Sequence, residues 1–223
     1  MDAAGDWIAQ DTPHGAVRAW QAAASGPATM AVAVVQEIFG VNAHVRHVVA
    51  RLAEEGFDAV APALFDPIEP GVELGYDAAG VEHGRALAAG IGFDRAIGIV
   101  GATTATLRTR AAKVAVVGFC WGGTVALLSN TRLGLPCVDY YGGRSMPFLH
   151  EPLRAPALLH FGSRDPLIPG ADVQAHRDAH PCASIHVYDA GHGFNCDARA
   201  DFDADAASLA WSRTLAFLRG LAP

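Results

Sequence analysis

Short apolar runs recur along the chain, and each one ends abruptly in small or polar residues. Such runs are typical of strands that are buried on both faces of a parallel sheet. Four are clear and two are shorter: Met30 to Val35, Asp58 to Leu64, Lys113 to Phe119, Ala155 to Phe161, a segment around Val138, and Ser184 to Asp189. The pattern therefore predicts six strands.

Helical patterns lie between these runs. The clearest extends from Ala43 to Glu55, where Val45, Val48 and Leu52 recur at spacings of three and four residues. Asn42 is a suitable residue to cap the start of this helix. An amphipathic helix is predicted here.

The remaining helical segments are less regular. Glycines interrupt the stretch after Pro67, so we expect one broken helix around Asp77 to Ala89 and a second around Asp94 to Leu107. A last amphipathic helix is predicted over Asp201 to Leu218. Its predicted core contacts are Phe202, Leu209, Leu215 and Leu218.

Strands that alternate with helices need crossover connections, so the chain is predicted to form an α/β fold with a mostly parallel central sheet and helices on both faces. The 223 residues are 51% hydrophobic and 17% charged, which suffices for one substantial core. No internal repeat or Ser/Gly linker is present. We therefore expect a single domain over residues 1–223.

Charge and hydropathy narrow the classes of partner. Sixteen Lys and Arg against 23 Asp and Glu leave a net charge of -7, which argues against nucleic acid because such binding depends on clustered cations. No uninterrupted run approaches the roughly 18 apolar residues of a spanning helix, and the first residues do not form a secretory signal. The four cysteines form no CxxC pair. These features predict a soluble, cytoplasmic protein with free thiols and no membrane partner.

The segment with the most specific chemistry is Gly118-Phe-Cys120-Trp-Gly122-Gly123, between a predicted strand and a helix-compatible TVALLSN. This pattern is typical of a nucleophile elbow, with cysteine in place of serine. The start of the following helix favours a thiolate over a thiol. The alternative to a catalytic role is that Cys120 only packs in the core, beside glycine-rich turns.

Two further residues follow in the chain order that such an elbow requires. Asp165 comes after the strand that ends at Phe161, and His192 lies between glycines after the strand that ends at Asp189. In this scheme His192 deprotonates Cys120, and Asp165 orients the imidazole. The order fits an α/β-hydrolase. The alternative is that Asp165 only forms a turn and that His192 is an ordinary residue of a surface loop.

Glu37 directly follows the first predicted strand, at the sheet edge where open α/β sheets bind ligands. It is either within reach of the thiol or a solvated carboxylate at a strand end. The same loop can supply the Ile38 backbone N–H to an oxyanion hole, beside the N–H of Trp121.

Five blocks, QEIFGVN from Gln36, GFCWGG from Gly118, DYYG from Asp139, GSRD from Gly162 and GHGF from Gly191, together resemble the dienelactone hydrolase family, or carboxymethylenebutenolidases. The resemblance extends from about Met30 to Leu218. It implies an α/β-hydrolase fold and a cysteine-dependent hydrolase of lactones or small carboxylic esters. The implied enzyme needs no cofactor and is a monomer.

The resemblance also implies roles for individual residues. The nucleophile falls on Cys120, the acid on Asp165 and the base on His192, while Glu37 contacts the thiol and takes its proton when substrate binds. The pocket would be lined by Phe39, Tyr76 and Tyr141.

One part of the family pattern is missing. The best-known members of the family grip the substrate carboxylate with an arginine shortly after the catalytic histidine, where this chain has Cys196, and with another before the elbow. Arg85 and Arg95 are the nearest candidates for the second, and neither is in clear register. A bidentate arginine is the best anchor for a carboxylate. Dienelactone itself is therefore not expected to be the native substrate.

Two other interpretations remain open. His44 and His47 lie three residues apart on one predicted helix. A catalytic zinc ion needs three protein ligands and no others are evident, so no metal is expected. A binding or regulatory protein with a hydrolase fold is the non-catalytic alternative, although it would not need an aligned nucleophile, base and acid.

Overall fold

A computed structural model describes residues 5–26, 28 and 30–221. Its strands are β1 (Asp6–Thr12), β2 (Gly15–Ala22), β3 (Met30–Val35), β4 (Phe57–Pro62), β5 (Val114–Phe119), β6 (Cys137–Tyr140), β7 (Ala157–Gly162) and β8 (Ser184–Tyr188). Its helices are α1 (Ala43–Glu54), α2 (Ala78–Leu107), α3 (Trp121–Leu133), α4 (Gly170–Ala179) and α5 (Ala204–Leu221), with a short 3-10 helix at Met146–Phe148.

The eight strands form one sheet in the order β1-β2-β4-β3-β5-β6-β7-β8. Strands β3 to β8 pair in parallel, whereas β1 and β2 run antiparallel to their neighbours. The six strands predicted from apolar runs correspond to β3 through β8. The predicted α/β class, with its mostly parallel sheet, is confirmed.

The hairpin of β1 and β2 was not predicted. Strand β2 alternates instead of forming a continuous apolar run, with Val17 and Ala19 buried and Arg18 exposed between them. The two strands pair along their full length, and the rings of Trp7 and Trp20 meet edge to face at 5.5 Å. A half-buried strand at the edge of a sheet has this weaker period-two signal.

Helices cover the central strands on both sides, and every residue of β3, β5 and β7 is therefore buried. Helix α1 begins as predicted, with the Asn42 side chain accepting a hydrogen bond from Val45 N. Helices α1 and α5 meet where the Arg51 guanidinium lies 4.0 Å from the Trp211 ring centre. Helices α2 and α3 pack against each other elsewhere on the sheet.

Helix α2 is two helical segments that join at Gly92, whose φ of 66° interrupts the helical geometry. The broken-helix prediction is therefore confirmed. By length and composition α2 also resembles a membrane span, but Leu87, Ile91, Ile99 and Val100 are buried in the core. It is a core helix of this fold.

The predictions for the C-terminal helix were partly wrong. Leu215 and Leu218 are buried as expected, but Phe202 and Leu209 are 41% and 47% exposed. Phe202 precedes the first residue of α5, so it does not share the buried face of the helix. Helix α4 was not predicted, because its buried residues are only Val173 and His176.

Candidate active site

The nucleophile elbow predicted at Cys120 is present between β5 and α3. Cys120 has φ 55° and ψ -120°, a backbone conformation that is strained for a residue with a side chain. A side chain at Gly118 would overlap the carbonyl of Gly122, and one at Gly122 would overlap the carbonyl of Gln36. The two glycines therefore let strand, helix and the loop after β3 approach closely enough to raise Cys120 above the sheet.

The structure brings Cys120, His192 and Asp165 into one hydrogen-bonded chain. His192 Nε2 lies 3.1 Å from Cys120 Sγ, and its Nδ1 lies 2.7 Å from Asp165 Oδ2. The second oxygen of Asp165 accepts a hydrogen bond from Leu167 N at 2.8 Å, which holds the carboxylate in place. Asp165 and His192 are buried, whereas Cys120 is half-buried and open to a substrate.

Electrostatics favour the charged form of His192. Burial by itself lowers the pKa of this imidazole, but the hydrogen bonds to Asp165 and Cys120 outweigh burial and raise the pKa to about 10. The Asp165 carboxylate therefore stabilises the imidazolium form of His192.

Two backbone N–H groups near the thiol are free to bind an oxyanion. Within the described residues, neither Ile38 N nor Trp121 N donates a hydrogen bond to another group of the protein. Gln36 braces the loop that carries Ile38, since its side chain donates to Glu37 O at 3.3 Å and accepts from Leu64 N at 3.0 Å. The predicted donors Ile38 and Trp121 are both available.

Glu37 is buried at the same edge of the sheet, but its contact is not the predicted one. Its Oε1 accepts a hydrogen bond from Arg199 Nη1 at 3.0 Å, and its Oε2 has no hydrogen-bond partner. No hydrogen bond joins Glu37 to Cys120 within the described residues. The thiol contacts His192 instead.

Arg199 is the site residue that sequence analysis missed. It comes three residues after Cys196, the position where the family pattern places its arginine, and its side chain folds back over Gly193, where a side chain would overlap the guanidinium. The guanidinium carbon lies 5.8 Å from the ring centre of Phe39 and 5.9 Å from that of Tyr76. The site therefore contains a cation, which the linear spacing did not reveal.

The alternative arginines lie elsewhere. Arg85 is exposed on α2, and Arg95 bonds to the carbonyls of Ile91 and Gly90 within the same helix.

The three predicted pocket residues lie around this cation and the triad. Phe39 and Tyr76 are in contact, with ring centres 4.5 Å apart, and Asn42 donates a hydrogen bond to the Tyr76 hydroxyl at 3.0 Å. The Tyr141 ring meets the His192 ring edge to face at 5.2 Å. The Tyr141 hydroxyl is buried without a hydrogen-bond partner, and burial raises its pKa well above the usual value.

Cys196 is buried beside Tyr76. Its thiol donates a hydrogen bond to the Tyr76 hydroxyl at 3.2 Å. Burial and the nearby Glu37 carboxylate raise the pKa of Cys196 to about 11, so the group is a neutral thiol.

A thiol on a strained turn, an imidazole bonded to it and a buried carboxylate behind the imidazole are the parts that acyl transfer requires. On this sheet and in this chain order, they are the features of an α/β-hydrolase, with Cys120 at the turn between strand and helix. The comparison with known proteins makes this class more specific. Residues 17–221 match the model of the dienelactone hydrolase family, and the chain belongs to that family.

Curated relatives and a solved structure agree with this assignment. The chain is 34% identical to the carboxymethylenebutenolidase of Pseudomonas putida over 209 residues, covering 89% of this chain and 88% of the relative. It is 32% identical to the carboxymethylenebutenolidase of Pseudomonas sp. strain P51 over 210 residues, covering 89% and 86%. A crystal structure from Klebsiella pneumoniae, assigned to dienelactone hydrolase, superposes with a TM-score of 0.82 at 29% identity, covering 96% of this chain and 98% of that one.

The chain is therefore a hydrolase that acts on carboxylic esters or lactones. The non-catalytic alternative is not supported.

Proposed function

We propose that this hydrolase cleaves lactones or small carboxylic esters through a thioester intermediate on Cys120, with His192 and Asp165 completing a catalytic triad. The support is the hydrogen-bonded chain from Sγ through the imidazole to the carboxylate, with distances of 3.1 and 2.7 Å. A merely structural cysteine would not need this alignment.

In the first half of the reaction, His192 Nε2 holds the proton that it has taken from the Cys120 thiol, and Sγ attacks the carbonyl carbon as a thiolate. The carbonyl oxygen becomes an oxyanion, for which the unpaired N–H groups of Ile38 and Trp121 are the donors. The C–O bond then breaks, and the leaving oxygen takes the proton from His192. With a lactone, the leaving hydroxyl remains attached to the acyl group.

In the second half, His192 Nε2 takes a proton from water as the water attacks the thioester carbonyl. The C–S bond breaks, the carboxylic acid leaves, and the sulfur regains a proton from His192. Asp165 keeps the ring in one tautomer throughout, because its carboxylate accepts the Nδ1 hydrogen.

The charge distribution favours a substrate with a carboxylate in addition to the scissile ester. Arg199 is the cation beside the pocket aromatics, and its present partner is the buried carboxylate of Glu37. Only Nη1 of the guanidinium bonds to Glu37, so its remaining N–H groups can hold a substrate carboxylate by charge-assisted hydrogen bonds while the ion pair stays intact. Arg199 thereby supplies the anchor that was expected to be missing at Cys196, and carboxylate-bearing lactones become the preferred class.

The direct test is Cys120→Ala, measured on an enol-lactone and an aryl ester with a purified, folded variant. Hydrolysis is expected to fall to the uncatalysed level, and mass spectrometry of the unaltered protein during turnover is expected to show an adduct of the acyl mass on Cys120. The matched control is Cys182→Ser, which removes an exposed thiol and leaves the rate unchanged. Full activity of the Cys120→Ala variant would refute the mechanism.

A further inference from the structure

Three unlike metal-ligating side chains lie together beside the active site. His44 comes from α1, and Cys196 and Asp197 come from the loop that follows His192. One possible ligand atom of each lies within 4.8 Å of the other two, and His44 Nδ1 is 3.8 Å from Asp197 Oδ1. The mechanism uses none of the three.

His44 lacks the hydrogen bonds that a buried imidazole normally makes. Its side chain is 4% exposed, and its Nε2 is buried without a partner. Its Nδ1, which faces Asp197, is too far from the carboxylate for a hydrogen bond and forms none with the described residues. Buried polar groups are hydrogen-bonded in most proteins, and here the imidazole nitrogen that faces Asp197 is left free to bind a ligand.

The other two residues supply complementary ligand types. Cys196 is fully buried and offers a soft sulfur, while the Asp197 side chain is 69% exposed and offers a carboxylate at the surface. The cluster is therefore enclosed by protein around His44 and Cys196 and reaches solvent at Asp197. An ion can enter past Asp197.

We propose that His44, Cys196 and Asp197 bind one divalent transition-metal ion of the Zn²⁺ type, with water as the remaining ligand. Imidazole, thiolate and carboxylate are the ligands that zinc takes, whereas magnesium and calcium prefer oxygen alone. Bond lengths of about 2.0–2.3 Å require ligand atoms roughly 3.3–3.7 Å apart. Rotation of the exposed Asp197 side chain shortens the two distances to its carboxylate, and the distance between the buried His44 and Cys196 ligand atoms, at most 4.8 Å, must shorten by a small shift of α1 or the loop. Cys196 releases its thiol proton to solvent as the ion binds.

The consequence for catalysis rests on the proposed function. Arg199 N donates a hydrogen bond to the Cys196 carbonyl at 3.1 Å, and the Arg199 guanidinium pairs with Glu37. An ion on Cys196 would restrain the segment that carries Arg199, and it would turn the thiol that donates to Tyr76 into a metal-bound thiolate. Bound zinc is therefore inhibitory, through the substrate anchor and not through the thiol of Cys120.

Binding is tested in a background that lacks the other accessible thiols, Cys120→Ala with Cys182→Ser. Co²⁺ is titrated for a thiolate charge-transfer band in the near ultraviolet, and Zn²⁺ is titrated against a chromophoric chelator. We expect one ion per chain and a Kd on the order of 1 µM, weaker than a closed four-ligand site. Absence of the band, or a stoichiometry other than one, overturns the site.

Single substitutions in that background assign the ligands. Cys196→Ser is expected to abolish the charge-transfer band, and Asp197→Asn, at an exposed position that is safe for folding, should raise the Kd at least about 10-fold. His44→Gln should raise it about 100-fold, whereas His47→Gln, its exposed neighbour on α1, should not change it. Equal effects of the two histidine variants, or a band that survives Cys196→Ser, would contradict the proposal.

Inhibition is measured separately on the chain that retains Cys120. Zn²⁺ should slow ester hydrolysis, and Asp197→Asn should raise the inhibitory concentration at least about 10-fold, in step with the Kd. Binding of Zn²⁺ without inhibition would contradict the proposed inhibitory role but not the metal site itself. Because the titration does not depend on hydrolysis, failure of the proposed mechanism does not affect it.

Discussion

Arg199 Nη1 lies 3.0 Å from Glu37 Oε1, and this ion pair joins two residues 162 positions apart in the chain. The Glu37 side chain is 1% exposed and that of Arg199 is 17% exposed. The pair is therefore a largely buried pair of opposite charges. It links the proposed substrate anchor to the residue that the family pattern associates with thiol activation.

Arg199→Met is expected to discriminate between substrates. For a lactone that bears a carboxylate, kcat/KM should fall at least about 100-fold, the equivalent of about 2.7 kcal/mol, because the charge-assisted bonds to the substrate are lost. For the methyl ester of the same compound, the loss should be several-fold at most. Arg85→Gln, on an exposed face of α2, is the control. Equal losses for both substrates would show that Arg199 is not a carboxylate anchor.

The same substitution should destabilise the fold, because it leaves the Glu37 carboxylate buried without its cation. Removal of one partner of a buried ion pair costs about 3–5 kcal/mol. Urea unfolding should show that the free energy of unfolding falls by about 3 kcal/mol. The double variant Glu37→Gln with Arg199→Met should recover part of this loss. A double variant less stable than Arg199→Met alone would contradict this account.

Alkylation of Cys120 by iodoacetamide distinguishes the two candidate proton acceptors. Because Cys120 Sγ is hydrogen-bonded to His192, whereas Glu37 is bonded to Arg199, His192→Gln should slow alkylation at least about 10-fold and Glu37→Gln should leave the rate within about 3-fold. The Cys182→Ser background removes the exposed thiol. If Glu37→Gln slowed the reaction as much as His192→Gln, the glutamate would be the acceptor.

Asp165→Asn should lower kcat about 10³–10⁴-fold while leaving KM nearly unchanged, because the wrong imidazole tautomer is then favoured. The bond to Asp165 also contributes to the pKa of His192 of about 10, so the variant should lose its imidazolium at a lower pH. Proton NMR of the imidazole measures that titration directly. An unchanged pKa would show that Asp165 does not control the charge of His192.

Gly122→Ala should disrupt the site, since the added methyl group would overlap the carbonyl of Gln36. We expect a stability loss of about 1–3 kcal/mol and a large loss of activity, because the elbow and the Ile38 loop must separate. Gly101→Ala in α2 is the matched control. Its methyl group would make an ordinary contact at 3.5 Å with Leu133, so it should stabilise the protein by about 0.5–1 kcal/mol.

Stability should fall in mild acid because of His160. This residue is fully buried between the Tyr188 hydroxyl at 2.8 Å and the Thr214 hydroxyl at 3.1 Å, and burial lowers its pKa well below 6.5. Below about pH 6.5 the unfolded chain therefore binds the proton that the folded chain excludes. The free energy of unfolding should fall by about 1.4 kcal/mol per pH unit for this histidine, and above that pH the effect disappears.

Chemical unfolding at pH 5.0, 6.0 and 7.5 tests this expectation. His160→Gln should start from a lower stability but lose less of it between pH 6.0 and pH 5.0, the interval in which only the unfolded chain takes up this proton. An identical slope in both proteins would assign the acid sensitivity to other groups, of which His176 is the next candidate because its pKa is also lowered by burial.

The sequence by itself determined strands β3 to β8, the elbow at Cys120 and the chain order of Asp165 and His192. Each of these depends on a local pattern: continuous apolar runs, or glycines at fixed distances from the nucleophile. Because parallel strands end at one edge of a sheet, their final residues meet without further information, and the positions of Cys120, Asp165 and His192 followed from topology alone.

Only the tertiary structure decided the β1–β2 hairpin, the partner of Glu37 and the grouping of His44 with Cys196 and Asp197. An arginine side chain is long, so Arg199 reaches Glu37 in the site although it lies three residues after Cys196, the position where the family pattern places an arginine. Which residues a loop brings against a distant helix depends on packing over the whole chain and not on spacing within it. For that reason the chemistry of acyl transfer was predictable, whereas the substrate anchor and the proposed metal ligands were not.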